Sequence, residues 1–219
     1  GATFVMSDIP GCGVGALDHV YHTLHDDNAD EFTLSPFMVM VDPERLRMIM
    51  PEHADINLPE ELVYLRKLQL EEADLIVLGP GSLYTSVIPN LLVSGIREAI
   101  HESDAVKVYV MNLMTQSGET AGYTAVDHVR ALFDHGGEGL FDYTLVNDLP
   151  IPPEAQEEYL REGAVPITAD EEALAALGVT VRYATVSLWQ KALVRHDPAA
   201  LAAALRDLYR EASPTRIYG

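Results

Sequence analysis

Apolar positions follow two alternating rhythms along the chain. Thr3-Phe4-Val5-Met6, Phe37-Met38-Val39-Met40-Val41, Ala73 to Leu78, Lys107 to Met111, Asp142 to Val146 and Val179 to Ala184 are short runs rich in β-branched and aromatic residues. They predict strands, with Val165-Pro166-Ile167 as a shorter late strand. Between them, apolar residues recur at helical spacing: Leu17, Val20, Tyr21 and Leu24; Leu58 to Leu70; Leu92, Ile96 and Ile100 behind Pro89; Ala125 to Phe133; and Leu201, Leu205 and Leu208 behind Asp197-Pro198. Asp42-Pro43-Glu44 reads as one more helix start and Glu154 to Arg161 as a solvated surface helix. Strands alternating with helices predict an α/β fold with a mostly parallel sheet.

The polar residues are as regular as the apolar ones, because strand after strand ends in a polar tip. The central strand stops at Gly79-Pro80-Gly81-Ser82, followed by Tyr84, Thr85 and Ser86. Gly79 and Gly81 let a backbone approach a ligand, and the hydroxyls of Ser82, Tyr84, Thr85 and Ser86 can meet its oxygens. The next strand runs into Asn112-Leu113-Met114-Thr115-Gln116-Ser117-Gly118-Glu119-Thr120. Asn112 and Gln116 offer donor and acceptor together, as reading a base edge or a sugar requires, with Thr115 between them. Asn147 closes the third such strand. In an open α/β sheet ligands lie at the carboxyl ends of the strands, so one edge carrying three polar tips is the expected binding edge. The plainer alternative is that these tips are tight turns and helix caps, with Thr120 or Thr124 capping the helix from Ala125.

Near the amino terminus, strand, Gly11-Cys12-Gly13-Val14-Gly15-Ala16 and helix follow one another, which is the arrangement that cradles phosphate. Gly11, Gly13 and Gly15 fit the spacing of a dinucleotide fingerprint, and Asp30 and Glu31 stand where its ribose-binding acid belongs. The polar segment His25 to Ala29 before them is no buried strand, which argues against a nicotinamide cofactor. The competing reading of Gly11 to Gly15 is a loop without a ligand.

Composition narrows the partners. Fourteen basic against thirty-four acidic side chains give a formal charge of −20, which repels nucleic acid and anionic membrane. A small anion is still compatible, held by backbone amides instead of lysines. No apolar run reaches membrane-span length and no secretory segment is visible, so a soluble cytoplasmic protein is expected. Cys12 is the only cysteine, which excludes an internal disulfide and a cysteine-built metal site. His53 among carboxylates reads as a solvated loop residue, not a metal ligand. With 219 residues, one domain over 1–219 is expected, as a monomer or a homo-oligomer.

From Gly79 onward the motifs carry a family. Gly79-Pro80-Gly81-Ser82-Leu83-Tyr84-Thr85-Ser86 with Ile88-Pro89-Asn90-Leu91-Leu92-Val93 resembles the long signature of the CofD-like family in its gluconeogenesis factor (YvcK-type) branch. Asn112 to Gln116 with Gly118-Glu119-Thr120, then Gly122-Tyr123, Asp127-His128, Val146-Asn147, Pro150-Ile151-Pro152 and Val194-Arg195-His196-Asp197-Pro198 are similar to its later motifs, in one register over 71–210. Residues 1–70 match poorly. Gly11 to Gly15 is similar to the family's first glycine loop, although Val14 lacks a threonine hydroxyl. The family's two-aspartate motif has only a faint echo in Asp26-Asp27, and its Gly-His-Ser-Leu-Gly-Asn motif is missing. A divergent, trimmed member and an incomplete chain are both compatible with this.

The resemblance implies a Rossmann-like three-layer fold and two functions. One is a regulatory protein that binds UDP-sugars and supports cell shape and growth on non-sugar carbon. The other is a magnesium-dependent transferase that moves a phospholactyl group from a nucleotide diphosphate to a deazaflavin. Gly79 to Tyr84 departs from the transferases' Gly-Pro-Ser-Asn-Pro type loop, which favours the first. Under the second, Glu119 and Asp127 are the carboxylates left to act as acids.

Overall fold

The computed structural model describes residues 2–8, 32–38, 70–71, 73–93, 95–190 and 193–213, the first two segments by their backbone. Six parallel strands form one sheet: β1 (Ala2–Asp8), β2 (Phe32–Met38), β3 (Leu75–Leu78), β4 (Val106–Val110), β5 (Tyr143–Asn147) and β6 (Thr180–Ala184), in the order β2-β1-β3-β4-β5-β6. The order reverses between β1 and β3, and an open α/β sheet opens its crevice beside the carboxyl ends at such a switch point.

Both faces of the inner strands are buried. Leu75 and Val77 of β3 point to one face, where they meet Leu201, Leu205 and Leu208 of the carboxyl-terminal helix α6 (Pro198–Ala212). Ile76 and Leu78 point to the other. That layer holds α1 (Ile88–Leu91), α2 (Ile96–Glu102), α3 (Ala125–Gly136) and α5 (Glu171–Ala176). The protein is thus a three-layer α/β/α sandwich, as the alternation of patterns and the resemblance both predict. Full burial of each leucine in the α6 stripe contributes about 1.5–3 kcal/mol. Asp197 starts that helix by accepting from the Ala199 and Ala200 amides.

The structure corrects several element boundaries. The second strand covers Phe32–Met38, so it begins earlier than the 37–41 expected, of which 39–41 lie outside the described residues; it lies at the sheet's edge, where Pro36 costs no ladder bond on the open side. The helix expected across Leu92, Ile96 and Ile100 is two, α1 and α2, because Gly95 takes φ 82 between them. A π-helical turn, Leu83–Val87, leads into α1. Val165 to Ile167 makes a single antiparallel bridge, Met114 with Pro166, instead of a strand. Helix α5 and the antiparallel hairpin β7 (Ser187–Gln190) with β8 (Leu193–His196) are additions to the sequence reading. Helix α4 (Pro153–Arg161) forms where the surface helix is expected and buries Ala155 against Leu113, Met114, Ile151 and Val194. The helices expected after Gly15 and after Asp42, that over Leu58 to Leu70 except for helical Leu70 itself, and His53 lie outside the described residues.

Candidate functional site

The loops leaving β3 and β4 are bonded into one unit. β3 and β4 are neighbours, so both chains emerge at the same edge. Gly79 turns the first chain with φ 70, and the Gly79–Pro80 peptide is cis. A Cβ on Gly79 would lie 3.1 Å from the Val110 carbonyl oxygen and 3.3 Å from Cε2 of Tyr109, so the Tyr109 ring and the end of β4 press directly on this residue. Two residues later, the Asn112 amide takes hold of Gly81 on both sides. Nδ2 donates to the Gly81 carbonyl at 2.8 Å, and Oδ1 accepts from the Gly81 N–H at 3.1 Å.

A second clamp lies one turn on. The Tyr84 N–H donates to Oε1 of Glu119 at 3.0 Å, and the Tyr84 and Tyr123 hydroxyls share a hydrogen bond of 2.9 Å. The Tyr84 ring stands edge-on to those of Tyr123 and His135. Burial, then the Tyr123 hydroxyl, then the charges of Asp134 and Glu119 push the Tyr84 phenol up to about 12, so it stays a neutral hydroxyl at neutral pH. Beneath the loop, the Tyr109 hydroxyl is fully buried without a hydrogen-bond partner among the described residues. Burial, with the Glu119 charge in support, raises its pKa as well.

The polar residues picked out by sequence divide into two groups. Asn112 is occupied with Gly81. Thr115 is buried and pairs with Val165, its N–H donating to the Val165 carbonyl and its Oγ1 accepting from the Val165 N–H. Asn147 reaches the same edge at the end of β5, but its amide binds the Leu149 carbonyl and the Val186 N–H, so it ties the chain beyond β5 to the start of the hairpin. These side chains shape the edge. The second group is open: Thr85 and Gln116 are exposed, and half-buried Ser82 begins the π-helical turn without a capping bond from its hydroxyl. Gly11, Gly13 and Gly15 lie outside the described residues; β1, from whose end they follow, pairs with β3 in parallel.

The capping question has a mixed outcome. Thr124 is the cap of α3, in a reciprocal box with Asp127 whose carboxyl is held below its usual range by the Thr124 N–H and hydroxyl. Thr120 instead accepts from the Gln116 N–H within the β4 loop. Two parts of the site, the Glu119 carboxylate on Tyr84 and the Tyr123 hydroxyl, depend on contacts across 35 and 39 residues, which residue type alone does not reveal. Among the described residues no group of three or more His, Cys, Asp or Glu side chains is placed to hold a metal ion. No described helix is long and apolar enough to cross a membrane.

A three-layer α/β sandwich with polar loops fused at the ends of β3 and β4 agrees with comparison to known proteins. Residues 46–187 match the family model described as 2-phospho-L-lactate transferase CofD, and the chain belongs to that CofD family. Its similarity within the family is to the gluconeogenesis factors, the YvcK-type branch. It is 45% identical over 163 residues to the gluconeogenesis factor of Bacillus subtilis, covering 74% of this chain and 50% of that protein. To the gluconeogenesis factor of Halalkalibacterium halodurans it is 49% identical over 136 residues, 62% of this chain and 42% of the relative. A crystal structure of a UPF0052 family member from Bacillus halodurans superposes with a TM-score of 0.62 at 47% identity, over 64% of this chain and 45% of that one. The chain spans about half the length of the curated relatives it matches.

Proposed function

We propose that this protein is a regulatory binder of nucleotide-diphosphate sugars of the UDP type, acting as the gluconeogenesis factors do in support of growth on non-sugar carbon and of cell shape. The observation that carries this reading is the double hydrogen bond of Asn112 with Gly81, which fixes the glycine loop at the carboxyl edge beside the switch point. A protein of charge −20 holds a diphosphate through fixed backbone amides, and this clamp, which itself takes the Gly81 N–H, fixes the backbone around them. The open hydroxyls of Ser82 and Thr85 and the free amide of Gln116 then face the sugar or base, while the glycine loop at Gly11 to Gly15 follows the adjacent strand. The preference for uracil rests on the family. A thermal-shift panel tests the reading: UDP-glucose at about 100 times its dissociation constant stabilises the fold by roughly 2.7 kcal/mol. Stabilisation by NAD, GDP or a deazaflavin with none by UDP-sugars contradicts it.

The family model's transferase description supports a second reading, transfer of a phospholactyl-type group to a deazaflavin with magnesium. Among the described residues no group of three or more His, Cys, Asp or Glu side chains is placed to hold magnesium. Turnover of a nucleotide-activated phospholactate with a deazaflavin acceptor and magnesium would establish this reading over the regulatory one.

A further inference from the structure

We infer that Glu119 is a specificity-determining residue of this edge, an internal anion seated on an amide of the ligand loop that an incoming phosphate must displace. The inference rests on the binding reading above and names what selects the ligand. The Tyr84 N–H belongs to the first turn after Gly79-Pro80-Gly81-Ser82, where Pro80 has no N–H and the Gly81 N–H is held by Asn112, and Oε1 of Glu119 already accepts from it at 3.0 Å. A carboxylate in this position does what a phosphate oxygen does: it satisfies an outward backbone donor with negative charge. Its charge reaches the hydroxyls of Tyr84 and fully buried Tyr109, which both lie at the loop, and Asp134 adds a second negative charge near Tyr84. The Tyr109 hydroxyl has no partner among the described residues, so a polar group stands below the loop with hydrogen-bonding capacity unspent.

Two anions cannot share one amide without mutual repulsion. A bare phosphate or pyrophosphate gains only what Glu119 gives up, and it is disfavoured. A nucleotide-sugar brings further contacts, to the hydroxyls of Ser82 and Thr85 and to Gln116, that offset the displacement. Glu119 thereby excludes the small anions that are abundant wherever nucleotides are, and admits ligands with a base and a sugar. Because the carboxylate also bonds the loop in the empty state, ligand entry frees residues 116–120 from the 83–87 turn.

The test is Glu119→Gln, which retains an oxygen acceptor for the Tyr84 N–H and removes the charge. Binding of inorganic pyrophosphate and of UDP-glucose is measured by calorimetry without and with magnesium, and melting is followed in parallel. Pyrophosphate affinity is expected to rise on the order of tenfold, as a charged partner's loss from one hydrogen bond implies, with a small fall in melting temperature because the same bond is weakened in the empty state. Unchanged or weakened pyrophosphate binding overturns the inference, as does wild-type pyrophosphate binding that requires magnesium, since Glu119 would then act as a cation ligand. A gain for pyrophosphate with no binding of UDP-glucose upholds the inference and refutes the UDP-sugar reading. Binding of UDP-glucose with no gain for pyrophosphate does the reverse. Should the variant fail to fold, hydrogen exchange on the unaltered chain decides: pyrophosphate at saturation speeds exchange over 116–120 if it displaces Glu119, and slows it if it does not.

Discussion

The Asn112 side chain bonds both the N–H and the carbonyl of Gly81, at 3.1 and 2.8 Å, in the way a neighbouring strand would. One side chain thus extends the β3–β4 ladder past the last backbone pair, Leu78 with Tyr109. Asn112→Ala removes both bonds. It is expected to cost about 1–3 kcal/mol in urea unfolding, since each net bond contributes about 0.5–1.5 kcal/mol, and to abolish the thermal shift by UDP-sugar. Loss of stability with ligand binding intact would show that the clamp serves the fold alone.

Gly79 and Gly118 both have positive φ, 70 and 79, yet their surroundings differ. A Cβ on Gly118 meets nothing within 4 Å, whereas one on Gly79 presses on the Val110 carbonyl and the Tyr109 ring. Gly118→Ala is expected to cost about 1 kcal/mol from backbone strain, and Gly79→Ala roughly twice that or more because the end of β4 must also give way. Equal effects in chemical denaturation would mean that contact with β4 contributes nothing.

Caps and ligand groups separate cleanly by substitution. Thr124→Ala removes a helix cap and is expected to lower stability by about 1 kcal/mol with nucleotide-sugar affinity unchanged. Ser82→Ala, at a residue whose hydroxyl caps nothing, is expected to leave stability within about 0.5 kcal/mol and to weaken binding. A melting temperature that falls for Ser82→Ala while affinity holds would assign the hydroxyl to the fold.

His196 sets an acid limit on stability. It is buried against the Met111 carbonyl, to which Nε2 donates at 3.2 Å, and burial lowers its pKa to about 4. His128, fully buried beside Tyr123 and bonded to the Thr124 carbonyl through Nδ1, is lowered too, again by burial. A histidine with a depressed folded pKa binds fewer protons than in the unfolded chain, so its contribution is complete above about pH 6.5 and declines as pH falls towards about 4. The His196 shift corresponds to about 3 kcal/mol across that window. His196→Gln is expected to flatten the slope of unfolding free energy between pH 6.5 and 4. An unchanged slope would show that His196 does not carry it.

The layered fold was legible because burial on both faces leaves a mark in sequence: Leu75 to Leu78 is a continuous apolar run, and the α6 stripe of Leu201, Leu205 and Leu208 recurs at helical spacing. The sheet's edge was read less well, since β2 carries Ser35 and Pro36 that only an edge strand tolerates. Polar tips were located correctly along the chain, but residue type does not say which way an amide turns. Asn112, Thr115 and Asn147 have the chemistry of ligand groups, and their side chains bond Gly81, Val165 and Val186 with Leu149. Their partners lie 31 to 50 residues away, apart from Leu149, beyond the reach of any local pattern.

Hydrogen exchange with and without UDP-glucose, read by peptide, tests most directly whether the joined loops of β3 and β4 are the ligand edge. Slowed exchange over 79–87, with a response in 112–120 and none in α4 or the β7–β8 hairpin, is the result predicted. Protection confined to α4 and the hairpin, with 79–87 unmoved, would contradict it.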